Sequence, residues 1–127
     1  MSPLLQAVVT AMGLGRIALG LAPIVAAGPA SRLLGFPAAH DNPTARAMAR
    51  LFGVRDIGLG VLAFYAIAHP EAAPFLFLFN GAMDAGDLLM FAAPLLRRQG
   101  IDRAALTSAG FALVGGLGWL AAWLALG

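Results

Sequence analysis

Residues 74–96 read PFLFLFNGAMDAGDLLMFAAPLL, and the pattern of this stretch decides the fold class. It carries no Lys or Arg and is long enough to cross a hydrocarbon core, which takes roughly 20 apolar residues. Inside it Asn80, Asp84 and Asp87 fall at i, i+4 and i+7, and Phe91 continues the line. A helix turning about 100° per residue gathers these four on one narrow stripe. A polar stripe on an apolar crossing helix has to face protein, because lipid offers its side chains no partner.

Working outward, three further stretches qualify as spans: about 4–27, about 45–68 and about 106–126. With the third at about 74–96, the chain reads as an all-α, integral membrane four-helix bundle with short loops, one domain over residues 1–127. Gly28-Pro29 and Asn42-Pro43 bracket the first loop, His69-Pro70 to Pro74 forms a tight second, and Arg97 to Arg103 a short third. Asp102 is placed to cap the fourth helix. Ala26-Ala27-Gly28 has the small residues of a signal-peptide cleavage site. However, no positive residue precedes the apolar run and Arg16 interrupts it, so the first span is expected to be retained.

Composition agrees. Hydrophobic residues make up 61% of the chain and charged residues 11%, with a mean hydropathy of +0.86. Soluble domains are about a quarter charged, so a water-facing surface cannot be built from this sequence. The formal charge of +2 arises from eight Arg and six acids, without a Lys. These arginines form no stripe interleaved with aromatics, which argues against a nucleic-acid partner. Cysteine is absent, removing thiol chemistry and disulfides. His40 and His69 fall in loops on opposite sides and make no metal pair; no metal or cofactor is expected. Gly13-x-Gly15 and Gly115-Gly116-x-Gly118 lack the strand–turn–helix setting of a nucleotide loop and read as close-packing sites. Ser31, Thr107 and Ser108 have no His–Asp partners for a triad.

The arginines also orient the bundle. Arg32, Arg46 and Arg50 lie in or beside the first loop and Arg97, Arg98 and Arg103 in or beside the third, whereas the second loop has only Glu71. The positive-inside rule places the first and third loops in the cytoplasm and both termini outside, in a plasma or inner membrane if the source is bacterial. Trp119 and Trp123 then suit an outer interfacial belt or lipid-facing bulk. Cysteines introduced at Ser2 and Ser31 are expected to react with an impermeant reagent from outside and inside respectively. The reverse pattern, or equal labelling of both, would overturn this topology.

An ionisable residue at mid-span costs about 2.5–3.5 kcal/mol, so the buried charges have to be arranged together. Arg16, Asp56, Asp84 and Asp87 lie about eleven to fourteen residues into their spans, which at ~1.5 Å per residue puts all four near the midplane. Gly13, Arg16, Gly20 and Pro23 share a face of the first span, and Asp56 flanks the face of Gly53 and Gly60 on the second. Arg55 points roughly the other way, to reach the interface, another helix or a second protomer. One Arg against three Asp leaves carboxylates in excess, and adding Arg55 still leaves one. At least one Asp is therefore expected to hold a proton. Asp56, Asp84 and Asp87 are the candidate catalytic acids, with Arg16, Asn80, Arg55 and Phe91 lining a ligand site.

The segments Arg16 with Gly20 and Pro23, Leu33-Leu34-Gly35-Phe36-Pro37, Arg50-Leu51-Phe52-Gly53-Val54-Arg55-Asp56, and Asp84 with Asp87 resemble a known family. It consists of small four-span bacterial and fungal membrane proteins catalogued as a domain of unknown function. The layout is also distantly similar to DoxX-type four-helix membrane proteins. The resemblance covers nearly the whole chain; it implies the four-span fold and no activity. The small multidrug transporters differ where it counts, having a coupling Glu in the first span where this chain has Arg16.

Three functions follow from the acids. The first is a site for a lipophilic small molecule, with acid–base chemistry of isomerase or cyclase type on an isoprenoid- or polyketide-like substrate. The second is a proton-coupled small transporter acting as a homodimer. The third is an assembly or stabilising subunit of a membrane complex, in which the ion pairs only set helix register.

Overall fold

The computed structural model describes residues 1–127. Five helices follow one another: α1 Pro3–Val25, α2 Ala27–Leu34, α3 Pro43–Ala68, α4 Ala73–Leu96 and α5 Asp102–Ala125. The four long ones are long and apolar enough to cross a bilayer, which makes the chain a multi-pass membrane protein. Two of them, α1 and α3, begin on side-chain caps. Ser2 Oγ accepts from the Leu5 amide at 3.2 Å and Asn42 Oδ1 from the Ala45 amide at 2.9 Å, each followed by proline at the first helical position. Asp102 does not cap α5: Ile101 holds the cap position without a side-chain bond, and Asp102 begins the helix itself. There its charge still complements the positive end of the helix dipole.

Within the bilayer, helices gain no hydrophobic free energy from meeting each other, and close packing decides who pairs with whom. α1 and α3 run antiparallel with their backbones touching. A Cβ on Gly60 would lie 2.7 Å from the Gly13 carbonyl oxygen, while Gly20 and Gly53 each place a carbonyl where the other's Cβ would stand. α4 and α5 form the second tight pair, with Gly81 against Trp119. The two pairs meet more sparsely, and two different materials join them. At the end holding both termini and the 69–72 turn, an apolar cluster includes Leu5, Val9, Ala63, Ala66, Leu76, Phe77 and Trp119. At mid-depth the joint is ionic.

Trp119 belongs to that core, with 1% exposure and its ring 5.6 Å from Phe77, so it is neither an interfacial anchor nor lipid-facing bulk. Trp123, one turn further, is half-buried against the same cluster. Gly81 packs against the Trp119 Cβ, a contact invisible from α5 alone.

The first loop holds more structure than its Gly-Pro boundaries suggest. α2 ends on Gly35 at φ +103°, whose amide returns to the Ser31 and Arg32 carbonyls, and the Arg103 side chain lies where a Cβ would be. On its inner side Gly28 faces the Asp41–Arg46 pair, closed by bonds of 2.7 and 2.9 Å. That guanidinium, donating to Asp41, holds its carboxyl below the usual carboxylate range. α2 is therefore fastened to both helix pairs.

Candidate functional site

The inward faces of three helices deliver the charges. On α1 the buried residues include Gly13, Arg16, Gly20 and Pro23, and on α3 Gly53, Asp56 and Gly60. On α4 they include Asn80 and Asp84, with Asp87 half-buried one turn on. Helical period alone predicts each of these faces.

Arg16 stands between three partners. Its Nη1 donates to Asp56 Oδ1 at 3.1 Å, while Nη2 lies 2.7 Å from Asp84 Oδ1 and 3.2 Å from the Asn80 carbonyl to which it donates. One guanidinium thus binds α1 to its pair partner α3 and to α4 of the other pair. Its planar fork suits this, since a lysine ammonium offers a single point of charge.

Arg55 resolves its three alternatives by meeting another helix. It donates to both oxygens of Asp87 at 2.9 and 2.7 Å, and its Nη2 lies 3.5 Å from Asp56 Oδ1. Its guanidinium carbon rests 4.6 Å over the Phe52 ring, a cation–π contact. The five charges form one alternating line: Asp84, Arg16, Asp56, Arg55, Asp87. The line runs from the buried centre outward. The Asp84 and Asp56 side chains are 7% and 3% exposed, Arg55 and Asp87 29% and 19%.

Three carboxylates against two guanidinium groups leave the line with an acid at each end. The line is also under-bonded: Asp84 Oδ2 and Asn80 Oδ1 at its inner end are buried without a hydrogen-bond donor, and the Nε atoms of Arg16 and, further out, Arg55 are without an acceptor. Asn80 uses its amide on the Leu76 carbonyl at 3.2 Å. Unpartnered buried acceptors cost about 1–3 kcal/mol each, so a native site keeps them for a reason.

Gly115 is the site residue that sequence reasoning missed. A Cβ there would come within 2.7 Å of Asp84 Oδ2, so this glycine makes the space for the carboxylate. The Gly115-Gly116-x-Gly118 cluster signals close packing, but not that the thing packed is an acid. Phe91 is half-buried on the line continuing from Asp87. His69 stacks on Tyr65 and contacts Glu71 at 3.4 Å, far from the acids in sequence and at the chain-end side of the bundle. No group of His, Asp and Glu side chains has the arrangement of a metal site.

Two surface concavities, of about 330 and 310 Å³, are lined by none of the charged residues.

No curated protein and no solved structure matches the chain. A family model does, over residues 13–126, a range that contains every member of the charged line. The chain therefore belongs to the family described as Domain of unknown function (DUF4267).

Proposed function

We propose that the charged line is the binding site of a lipophilic small molecule carrying a hydrogen-bond donor, admitted sideways from the bilayer between α3 and α4. The observation that carries this reading is the pair of buried acceptors, Asp84 Oδ2 and Asn80 Oδ1, at the end of a line with one carboxylate in excess. A hydroxyl or amine from a ligand answers both deficits.

Packing supports the route. The large buried apolar side chains cluster at the chain-end side, whereas beyond the charged line toward the arginine-rich loops the buried apolar residues are Pro23, Ala27, Ala104, Ala105 and Ala112. Phe52 and Met90 are exposed there and Phe91 is half-buried, an apolar setting for the body of the molecule. Arg55 and Asp87 form the half-buried edge the head group has to pass, and Arg16 and Asp56 set the charge behind it. Where the molecule reacts, the chemistry of this donor set is acid–base. One protonated Asp gives its proton to one alkene carbon, leaving the cation on the other. A neighbouring carboxylate removes a proton from the next carbon beyond the cation or from the nucleophile that has attacked it. The net change is a shifted double bond or, with an internal nucleophile, a ring.

The filled joint equally suits a subunit whose ion pairs only set helix register. Proton-coupled transport draws less support, because the Phe77–Trp119 cluster fills the chain-end half of the joint between the pairs. Native mass spectrometry of protein purified in mild detergent separates the readings. A hydrophobic adduct of one per chain is expected, lost in Asp84→Asn and Asp87→Asn while both variants stay folded. An adduct retained in both would remove the acids from the site. Failure of both variants to fold would favour the register-setting role.

A further inference from the structure

Charges of alternating sign run through the joint between the helix pairs, with an acid at each end, and such a line is completed by a cation at one of them. The outer end is closed: both oxygens of Asp87 accept from Arg55, at 2.9 and 2.7 Å. Asp56, in the middle, stands between the two guanidinium groups. At the inner end Arg16 takes only Oδ1 of Asp84, at 2.7 Å, and Oδ2 is buried without a donor. That oxygen looks onto the bare backbone of Gly115, so α5 puts no side chain over it at this position. The missing positive charge therefore belongs at Asp84 Oδ2.

A second buried group marks the same end. Asn80 is fully buried one turn before Asp84 on the same face of α4, and its backbone carbonyl shares the Arg16 Nη2 that serves Asp84. Its side-chain amide donates to the Leu76 carbonyl, while Oδ1 has no donor. The end thus lacks one positive charge and two hydrogen-bond donors. A hydroxyl brings one donor and no charge, and a quaternary ammonium brings the charge and no donor. A hard metal ion takes about six oxygens or more, and these side chains offer two. A primary ammonium brings the charge and three donors, and its charge-assisted bonds are roughly twice as strong as neutral ones. Arg16 Nε, a buried donor, gains nothing from it, but that is one unmet group against two met and a charge balanced.

Resting on the reading of the charged line as a lipophilic-ligand site, we propose that the ligand's head is a primary amine, held as its ammonium by Asp84 Oδ2 and Asn80 Oδ1. Its hydrocarbon part lies toward Phe52, Met90 and Phe91. The free base crosses the hydrocarbon uncharged, which avoids bringing a bare cation to the midplane. At the site a proton moves from the excess carboxylic acid to the nitrogen. The O–H bond breaks, the N–H bond forms, and carboxylate and ammonium stay together as a buried pair. Each carboxylate of the line then has a cation of its own.

The test compares hexadecylamine, hexadecanol and hexadecyltrimethylammonium, which share one chain and differ in charge and donors. Each is added in small molar excess to the full-length protein in mild detergent, with native mass spectrometry and thermal unfolding as readouts. In wild type, hexadecylamine is expected to be retained as one adduct per chain and to raise Tm by several degrees, and the other two to do neither. Asp84→Asn should lose the adduct. Asn80→Ala removes one acceptor while keeping the backbone carbonyl that Arg16 uses, and should weaken retention by about tenfold. If Asp84→Asn fails to fold, Asn80→Ala and the wild-type series decide the matter. Retention of hexadecyltrimethylammonium equal to that of the amine, or of the amine undiminished in Asn80→Ala, would overturn the proposal. Retention of hexadecanol in place of the amine would overturn it and leave the charged-line reading standing. Retention of none of the three by wild type would overturn this proposal, and the adduct native to the purified protein then decides the charged-line reading separately.

Discussion

Replacing Arg16 with leucine is expected to abolish accumulation of folded protein. The guanidinium is the one group that joins α1 to both Asp56 and Asp84, and through Asp84 it ties the two helix pairs together. Its removal leaves two buried carboxylates facing each other across the space it filled, with Arg55 3.5 Å from only one of them. Breaking a buried ion pair from one side costs about 3–5 kcal/mol, and total stabilities are about 5–15 kcal/mol. Two pairs lost at once therefore exhaust most of the margin. The double variant Arg16→Leu/Asp84→Asn should recover part of the yield, because it removes one of the stranded charges. Arg16→Lys should fall between, since an ammonium cannot serve Asp56, Asp84 and the Asn80 carbonyl in their present geometry. Size-exclusion yield and Tm in a fixed detergent measure all three. Wild-type behaviour of Arg16→Leu would mean that the ionic joint does not hold the pairs together.

Gly20→Val and Gly53→Val should be comparably damaging for a different reason. At these positions the obstacle to a Cβ is the carbonyl of the facing helix, which cannot rotate away as a side chain can. Overpacking with room to relax costs about 1–3 kcal/mol, and backbone against backbone lies at or above the top of that range. The helices have to separate along the contact, carrying Arg16 away from Asp56. The controls are built in: Gly15 and Gly58 are on the same two helices with nothing within 4 Å of a Cβ. Gly15→Ala and Gly58→Ala should be neutral or gain up to about 1 kcal/mol from helix propensity. Equal Tm losses in the two sets would refute the close contact of α1 with α3.

Both expectations trace to patterns readable in the sequence, but unequally. The faces carrying Arg16 with Gly20, Asp56 with Gly53, and Asn80 with Asp84 follow from helical period, and all are buried as that period requires. The direct contact of Arg16 with an acid follows from depth and from the cost of leaving a charge unpaired in hydrocarbon. The partners of Arg55 do not follow. Arg55 adjoins Asp56 in sequence and its Cβ leaves the helix in a different direction, yet its long side chain swings to Asp87 on α4. Nor does Gly115 follow, because its use depends on which turn of α4 lies opposite.

The sequence by itself determined the four crossings, the buried faces of α1, α3 and α4, the depth at which the charges meet and their imbalance of three acids to two arginines. Each of these is a property of one helix and its surroundings, set by apolar run length and by about 100° of rotation per residue. Only the tertiary structure decided that α1 pairs tightly with α3 and α4 with α5, that Trp119 fills the core, that α2 folds under the arginine-rich end, and that Asp87 takes Arg55 while Asp84 takes Arg16. Helical period specifies the direction in which a side chain leaves its own axis. Which neighbour it meets depends on how closely two backbones approach, and that is settled between helices by the glycines on both at once.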